Sequence, residues 1–466
     1  MEREQHEGRR SVMSRRTFLR SLVVAGSAAV VAACGGNTAP EGGPAASAPG
    51  TAGGGGPVTI EWLNRYHTPV TQTLLPEIVS AFEAENPDIK VRYENPGSGE
   101  GYTEQILTRV AGGNPPDVAT LFEPPVEFAT RGALMELDTY MASATLATPD
   151  AFYPAPFRSC QWQGKTYGLP SSAGATAIFT NPAMLSARGI STSREGFPRT
   201  WDELKALDKE FIVIEGGEVK QAGFVPFIGS SWAYPVWSAI NGGQIYDAAN
   251  NQYTIDSDQN VEWVDYWLRW LDDNYGGDLE AMTIAANWAS NYSDSAFYQG
   301  KAAMTFEGSW SCTDAEIPFE WEVVHLPVGP SGSTSYTAFY PNWWVVPNGS
   351  KQPEAAFRFI EFISTTGWTI WYRTIMDTPA WKQFPPTVIT EKLVATIGEE
   401  RAASVNAFFA DYLNSAAEMW TSPVDTFASE QVSLAVEKVL RKQQSPREAL
   451  AEAQQLAQAK LNEVLA

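Results

Sequence analysis

The stretch Phe297-Tyr-Gln-Gly-Lys-Ala-Ala-Met-Thr-Phe-Glu-Gly-Ser-Trp310 decides the fold class of this chain. Gly300 suits the left-handed residue that closes a helix, and residues 302–306 form an apolar run of strand length. Residues 307–310 follow directly and read as a turn. The stretch therefore predicts the end of a helix, a buried strand and an exposed tip, as in an α/β sheet.

Trp310 at this tip is a candidate ligand-stacking residue. Ligands of open α/β sheets lie outside the carboxyl ends of the strands, where a large aromatic ring can act as a platform. Glu307 beside it is a candidate acceptor for ligand hydroxyl groups. The alternative is that Trp310 packs beneath a loop, because Trp is highly buried on average.

Length and charge restrict the class of protein. The chain has 466 residues, which is more than one hydrophobic core usually supports, so we expect two domains. Its 17 Trp, 17 Tyr and 22 Phe are too many for a disordered chain. The net charge of −22 argues against nucleic acid and anionic lipid as partners, because both are bound through clusters of Lys and Arg.

The N-terminus resembles a bacterial export signal. Paired arginines in residues 14–20 precede a short apolar run, and Val31-Ala-Ala-Cys34 resembles a lipobox. We expect residues 1–33 to be removed as a twin-arginine lipoprotein signal peptide and Cys34 to be acylated at the outer face of the cell membrane. Residues 34–57 are rich in Gly, Ala, Pro and Ser and would form a flexible tether. The alternative is an N-terminal anchor that is never cleaved.

Cys160 and Cys312 are the other two cysteines, and no Cys/His cluster has the spacing of a metal site. We therefore expect no metal and no cofactor. Two free, buried thiols are favoured over a disulfide.

The chain after the tether opens with a β-α-β unit. Residues 58–63 and 89–93 have the strand pattern, with a helical pattern between them, and residues 118–122 predict a third strand. Tyr66 lies in the loop after the first strand and Glu123 at the tip of the third. If the sheet is parallel, these two ends are level with each other.

Two later segments carry further signals. Thr200-Trp-Asp-Glu203 has the spacing of a capping box and predicts the start of a helix. The polar-aromatic segment 229–237 contributes Trp232 and Trp237 as candidate ligand contacts. A third set of aromatics is expected in the core because of its helical spacing: Trp263, Tyr266 and Trp270.

Seven segments together resemble the extracellular solute-binding proteins of bacterial ABC importers, in the branch similar to maltose-binding protein. They are Phe82-Glu-Ala-Glu-Asn-Pro87, Ala111-Gly-Gly-Asn-Pro-Pro-Asp-Val118, Gly132-Ala-Leu-Met-Glu-Leu137, Gly164-Lys-Thr-Tyr-Gly-Leu-Pro170, Pro198-Arg-Thr-Trp-Asp-Glu-Leu204, Gly300-Lys-Ala-Ala-Met-Thr305 and Pro353-Glu-Ala-Ala356. The resemblance covers nearly the whole chain after Pro57.

The resemblance implies two α/β lobes with an interlobe cleft that closes by a hinge at the chain crossings. The N-lobe would comprise residues 58–173 plus 338–377, and the C-lobe residues 174–337 plus 378–466. It further implies a monomer that is not an enzyme and that delivers a small carbohydrate to the transmembrane subunits of an ABC permease.

A sugar offers apolar C–H faces for aromatic rings and hydroxyl groups for polar side chains. Residues 340–344 depart from the Gly-Gly pair of many members and bring Asn342 and Trp343 to the cleft floor, while Asp377 stands near a position usually held by Gly. The complete set of candidate ligand contacts is Trp310, Tyr66, Glu123, Trp232, Trp237, Ser172, Glu307, Asn342, Trp343 and Asp377.

Two alternatives stay open. The same scaffold could bind another cargo, such as glycerol phosphate, a polyamine or a peptide. A surface glycoside hydrolase using Glu123 and Glu307 would need its two carboxylates about 5 to 9.5 Å apart across a sugar.

Overall fold

The computed structural model describes residues 56–66, 69–95, 101–228, 231–288, 294–313, 316–385, 388–417 and 421–466. These residues belong to one compact unit, Gly55–Ala466. The expected signal peptide, Cys34 and all of the tether before Gly56 lie outside the described residues and stay predictions. Within the described ranges, no helix has the length and apolar character needed to cross a membrane.

The strands are short and spread over the whole chain. Their bounds are β1 Val58–Leu63, β2 Ile89–Glu94, β3 Val118–Leu121, β4 Gln161–Trp162, β5 Lys165–Thr166, β6 Leu169–Pro170, β7 Thr176–Thr180, β8 Val213–Glu215, β9 Glu218–Gln221, β10 Tyr246–Asp247, β11 Gln252–Tyr253, β12 Met304–Gly308, β13 Glu322–Val324, β14 Thr337–Ala338, β15 Trp343–Val345 and β16 Ala416–Ala417.

Helices fill the connections and the C-terminal part. Their bounds are α1 Pro69–Glu85, α2 Tyr102–Ala111, α3 Pro125–Ala129, α4 Asp138–Met141, α5 Pro154–Arg158, α6 Pro182–Ser186, α7 Trp201–Lys209, α8 Tyr234–Ile240, α9 Asp258–Tyr275, α10 Leu279–Ala285, α11 Pro353–Ser364, α12 Trp368–Tyr372, α13 Glu391–Ile397, α14 Glu399–Tyr412, α15 Asp425–Leu440 and α16 Pro446–Leu465.

The first lobe is built on a five-stranded sheet with the order β2-β1-β3-β15-β6. β1 runs parallel to β2 and to β3, whereas β15 runs antiparallel to β3 and β6. The predicted β-α-β opening is confirmed. Between β1 and β2, α1 buries the apolar face expected from its spacing, including Leu75, Ile78 and Phe82.

The second lobe contains the antiparallel sheet β12-β7-β13. The predicted strand near residue 302 is present, but it runs from Met304 to Gly308. Gly300 has the expected left-handed φ of 68°. However, the described residues 294–300 form turns, so the helix predicted before Gly300 is wrong, and a 3₁₀ helix over Ser309–Cys312 replaces the expected exposed turn.

Three chain segments connect the lobes side by side. The Ala173 N–H donates to the Thr378 carbonyl at 2.5 Å, and the Tyr340 N–H donates to the Gly174 carbonyl at 3.1 Å. Ser172 also forms an isolated bridge with Pro379. Because Gly308 pairs with Thr176 at the start of β7, the residues after β12 lie next to these crossing segments.

Packing in the second lobe agrees with two further predictions. Thr200 and Glu203 form a complete capping box at the start of α7. The aromatics expected in the core are buried in α9, namely Trp263, Tyr266 and Trp270. The two described cysteines are free and buried, as expected.

Candidate functional site

Trp310 lies in the 3₁₀ helix that follows β12 and is half-buried. Its indole ring folds back over Gly308, where a Cβ atom would stand 2.2 to 2.3 Å from three ring atoms. On another side the ring approaches Gly174, whose added Cβ would lie 3.2 Å from Trp310 Cζ3 and 2.8 Å from the Tyr340 carbonyl oxygen. Two glycines therefore create the space that Trp310 occupies.

Trp310 belongs to an aromatic cluster with Trp232 and Tyr340. The Trp310 ring stands edge-on to Trp232 at 6.1 Å and to Tyr340 at 6.2 Å between centroids. Trp232 and Tyr340 are 4.7 Å apart, and the Tyr340 hydroxyl donates to the Trp232 carbonyl at 2.6 Å. All three residues are half-buried, so this Trp–Tyr cluster combines a fixed geometry with remaining exposed aromatic surface.

Tyr66 lies in the first lobe, in the segment that follows β1. Its ring packs between Phe122 at 5.4 Å and Trp371 at 4.7 Å. The Asn342 side-chain amide donates to the Tyr66 hydroxyl at 2.9 Å. Burial, together with the charge of Asp377, raises the pKa of Tyr66, so its hydroxyl stays protonated near neutral pH. The structure thus brings Tyr66, Asn342 and Asp377 together.

Arg65 and Glu123 meet at the rim of the first lobe. Arg65 Nη1 lies 2.6 Å from both carboxylate oxygens of Glu123, which confirms that the ends of β1 and β3 are level. The Arg65 guanidinium also stacks over the Phe122 ring at 4.6 Å. Phe122 is 38% exposed.

Phe122 and Trp371 were not among the residues expected from the sequence. Phe122 did carry a signal, since it directly precedes Glu123 at the predicted strand tip. Trp371 lies in the short helix α12 and stacks on Trp368 at 5.3 Å, and its sequence context carried no recognisable signal for a site.

Two expected contacts are buried away from this surface. Trp237 is 1% exposed in α8, where its ring packs against Trp201 and against Trp267 of α9. Trp343 is 2% exposed, and its indole N–H donates to the Ser159 hydroxyl at 2.8 Å. Because side chains alternate along a strand, Trp343 points into the core of the first lobe while Trp344 packs against Tyr66.

Glu307 is also buried, with 3% exposure, instead of lying on an exposed tip. The Ser311 hydroxyl donates to Glu307 Oε2 at 3.0 Å. Burial raises the pKa of Glu307 to about 8, so the side chain is a neutral acid at pH 7. It supports the strand end beneath Trp310 and offers little surface to a ligand.

Ser172 and Asp377 lie within the crossing segments and are 0% and 6% exposed. The Ser172 hydroxyl is buried without a hydrogen-bond partner among the described residues, and so is the indole N–H of Trp371. Buried polar groups are normally paired. These two donors are among the exceptions in the part of the chain that the structure describes.

The comparisons with known proteins decide the family. A model described as bacterial extracellular solute-binding protein matches residues 67–370. This chain belongs to that family. Among curated proteins, the solute-binding protein is similar to a maltooligosaccharide ABC transporter solute-binding lipoprotein of Streptococcus pneumoniae, with 23% identity over 67% of this chain and 70% of the relative.

Solved structures show the same two-lobed fold. An ABC substrate-binding protein from Listeria monocytogenes in complex with cycloalternan has a TM-score of 0.70 at 22% identity, covering 87% of this chain and 99% of that one. A maltose/maltodextrin-binding domain from Bdellovibrio bacteriovorus bound to maltotriose has a TM-score of 0.65 at 18% identity, covering 87% and 100%.

The solute-binding protein also has a cavity of about 810 Å³ whose lining residues do not include Trp310. It lies between the β4–β5 hairpin of the first lobe and residues 242–251 of the second. Trp162, Tyr246 and Tyr336 are its aromatic lining residues. Among the described residues, no group of three or more His, Cys, Asp or Glu side chains could hold a metal ion.

Proposed function

We propose that this protein captures a mono- or oligosaccharide by closing its lobes and delivers it to an ABC permease. In this proposal the protein is a monomer held at the outer face of the cell membrane by an acylated Cys34. The observation that carries the proposal is the half-buried Trp–Tyr cluster of Trp232, Trp310 and Tyr340, which lies next to the crossing segments.

The chemistry of this surface suits a sugar. The Trp–Tyr cluster offers aromatic area for the apolar C–H face of a pyranose. On the first lobe, Phe122 is a second exposed ring, and the neighbouring Arg65–Glu123 pair supplies charged partners for hydroxyl groups. Asn342 and Asp377 lie close to Tyr66 at the floor. The sugar-bound states named for the structural relatives support the same class of ligand.

We further propose that the protein is not an enzyme. A glycosidase needs two carboxylates that both reach the scissile bond. Glu307 is buried and accepts a hydrogen bond from Ser311, and Glu123 is engaged by Arg65. Neither carboxylate is therefore free to act as the general acid or the general base on a bound sugar.

A thermal-shift screen against mono- and oligosaccharides, polyols, phosphates and polyamines tests the class of ligand. A sugar at a hundred times its dissociation constant stabilises the protein by about 2.7 kcal/mol. A shift with polyamines alone would refute the carbohydrate proposal.

Calorimetric titration of Trp310→Ala then tests the site. Loss of the stacking area costs ~1–3 kcal/mol, which corresponds to roughly 5- to 150-fold weaker binding. Trp162→Ala is the matched control, because Trp162 is also half-buried but lines the 810 Å³ cavity. Weaker binding by the Trp162 variant alone would move the ligand to that cavity.

A further inference from the structure

A carboxylate of the first lobe contacts a helix of the second. Glu127 lies in α3, which follows β3 of the five-stranded sheet, and its side chain is 4% exposed. α15 packs against α9 and α16 in the second lobe. The Thr426 hydroxyl at the start of α15 donates to Glu127 Oε2 at 2.9 Å, and the Thr426 N–H donates to Oε1.

This contact caps the helix from outside. The residue before α15 is Val424, which offers no side-chain acceptor to the first turn. The N–H of Thr426 is one of the helix donors that have no partner within the helix. Glu127 therefore does for α15 what an N-cap side chain normally does. Separating the lobes breaks both bonds and uncaps α15.

A second carboxylate lies beside the first. Asp425 is 8% exposed, and its Oδ1 atom has no hydrogen-bond partner among the described residues. Burial raises the pKa of Asp425, and the charge of Glu127 raises it further. Two buried carboxylates at a lobe interface disfavour double ionisation, so the pair holds a proton more tightly than two solvated acids do.

Other charged groups near the pair do not cancel this repulsion. Burial is the main cause that raises the pKa of Glu127 to about 7, the charge of Glu123 adds to it, and hydrogen bonds from Thr426 and the charge of Arg131 act against it. Arg131 is exposed and is the cation that acts on Glu127. On the second lobe, the further titratable groups influenced by Asp425 are the hydroxyls of Tyr246 and Tyr253.

We propose that Glu127 and Asp425 form a proton-dependent latch between the lobes, so that acidification favours the closed form. This inference rests on the proposed function, in which the two lobes close about a hinge. Opening returns both carboxylates to water, whereas closing brings them together and takes up a proton. The protein would thus hold its solute more tightly in an acidic environment and release it more readily as the pH rises.

The direction and size of the pH effect follow from the linkage between proton binding and lobe closure. The pKa of Glu127 is about 7 in this structure, where the contact with Thr426 is made, against 4.5 for an ordinary Glu. Because the closed-form pKa is the higher one, the stabilisation of the closed form is full below about pH 4.5 and is lost as pH rises through 7. For one proton, the ratio of closed to open protein increases roughly 30-fold between pH 8 and pH 5.5.

Small-angle X-ray scattering of the full chain without any sugar tests the latch. We expect a smaller radius of gyration at pH 5.5 than at pH 8 for the wild type. Glu127→Gln combined with Asp425→Asn keeps an acceptor for the Thr426 N–H and removes both titrating groups, so this double variant stays compact at both pH values, while Glu127→Ala stays expanded at both. Glu430→Gln, which changes an exposed acid of α15, is the matched control and behaves as the wild type.

An unchanged radius in the wild type, or the wild-type pH response in the double variant Glu127→Gln with Asp425→Asn, overturns the latch. Circular dichroism melting of each variant is the control that tests whether the variant is folded. Since no sugar is present, failure of the latch is separate from failure of the carbohydrate proposal, which the ligand screen decides.

Discussion

Replacement of Glu307 by Gln should stabilise the protein in a strongly pH-dependent way. Glu307 ends β12 beneath the Trp310 ring, is 3% exposed and accepts a hydrogen bond from Ser311. Its pKa is raised by burial to about 8, from 4.5 for an ordinary Glu. At pH 7 the side chain is therefore neutral in the folded protein and ionised in the unfolded chain.

The magnitude follows from that pKa difference. Because the folded-state pKa is the higher one, the stability that the protonated acid contributes is full below about pH 4.5 and is lost as pH rises towards 8. At pH 7 the unfolded chain gains about 3 kcal/mol from ionisation, at roughly 1.4 kcal/mol for each of 2.5 pH units above 4.5. Gln is neutral at every pH and keeps an acceptor for the Ser311 hydroxyl. Glu307→Gln should thus stabilise by up to ~3 kcal/mol at pH 7 and by less than ~1 kcal/mol at pH 5.

Urea denaturation at pH 5, 7 and 8 measures this difference in the free energy of unfolding. Glu320→Gln is the control, because Glu320 is an exposed acid in the same lobe and its replacement should change the stability little at any of the three pH values. An equal effect of Glu307→Gln at all three pH values, or a loss of stability at pH 7, would show that Glu307 is ionised in the folded protein and would refute the reasoning.

Three further predictions concern packing. Gly308→Ala should weaken sugar binding several-fold in calorimetry while leaving the fold intact, because its φ of −95° suits Ala but the new Cβ would stand 2.2 Å from the Trp310 ring. Asp208→Ala should destabilise the protein by more than ~4 kcal/mol in urea denaturation, because this fully buried carboxylate accepts hydrogen bonds from two backbone N–H groups and from three side chains of α9. Cys160 and Cys312 should react with a thiol reagent only after denaturation, since both are buried and burial raises the pKa of each thiol.

Local patterns predicted several elements of both lobes. The β-α-β opening and the capping box at Thr200 depend on residues close in sequence, and both are present. The strand before Trp310 was also recognised, although it begins at Met304. Such features follow from periodicity and capping chemistry, which do not require knowledge of the tertiary structure.

The sequence was less informative about which aromatic residues face the cleft. Trp343 and Trp344 are neighbours in β15, and a shift of one residue in the strand exchanges the side chain that packs near Tyr66. Trp237 has a polar-aromatic context that suggests a binding loop, yet it lies in α8 and packs against α9. The contact between Glu127 and Thr426 joins residues 299 positions apart and has no local signature.

The crossing segments and the Glu127 contact limit how the lobes can move. The Ser309 N–H donates to the Ala175 carbonyl at 2.8 Å, and the hydroxyls of Ser309 and Thr378 are 3.3 Å apart. The 3₁₀ helix that carries Trp310 is therefore attached to two crossing segments through hydrogen bonds that are largely buried. By contrast, the contact between Glu127 and Thr426 depends on one carboxylate whose protonation changes near neutral pH. An opening motion should thus break the Glu127 contact first and pivot about the crossing segments, so that the Trp–Tyr cluster keeps its geometry while the first lobe moves away from it.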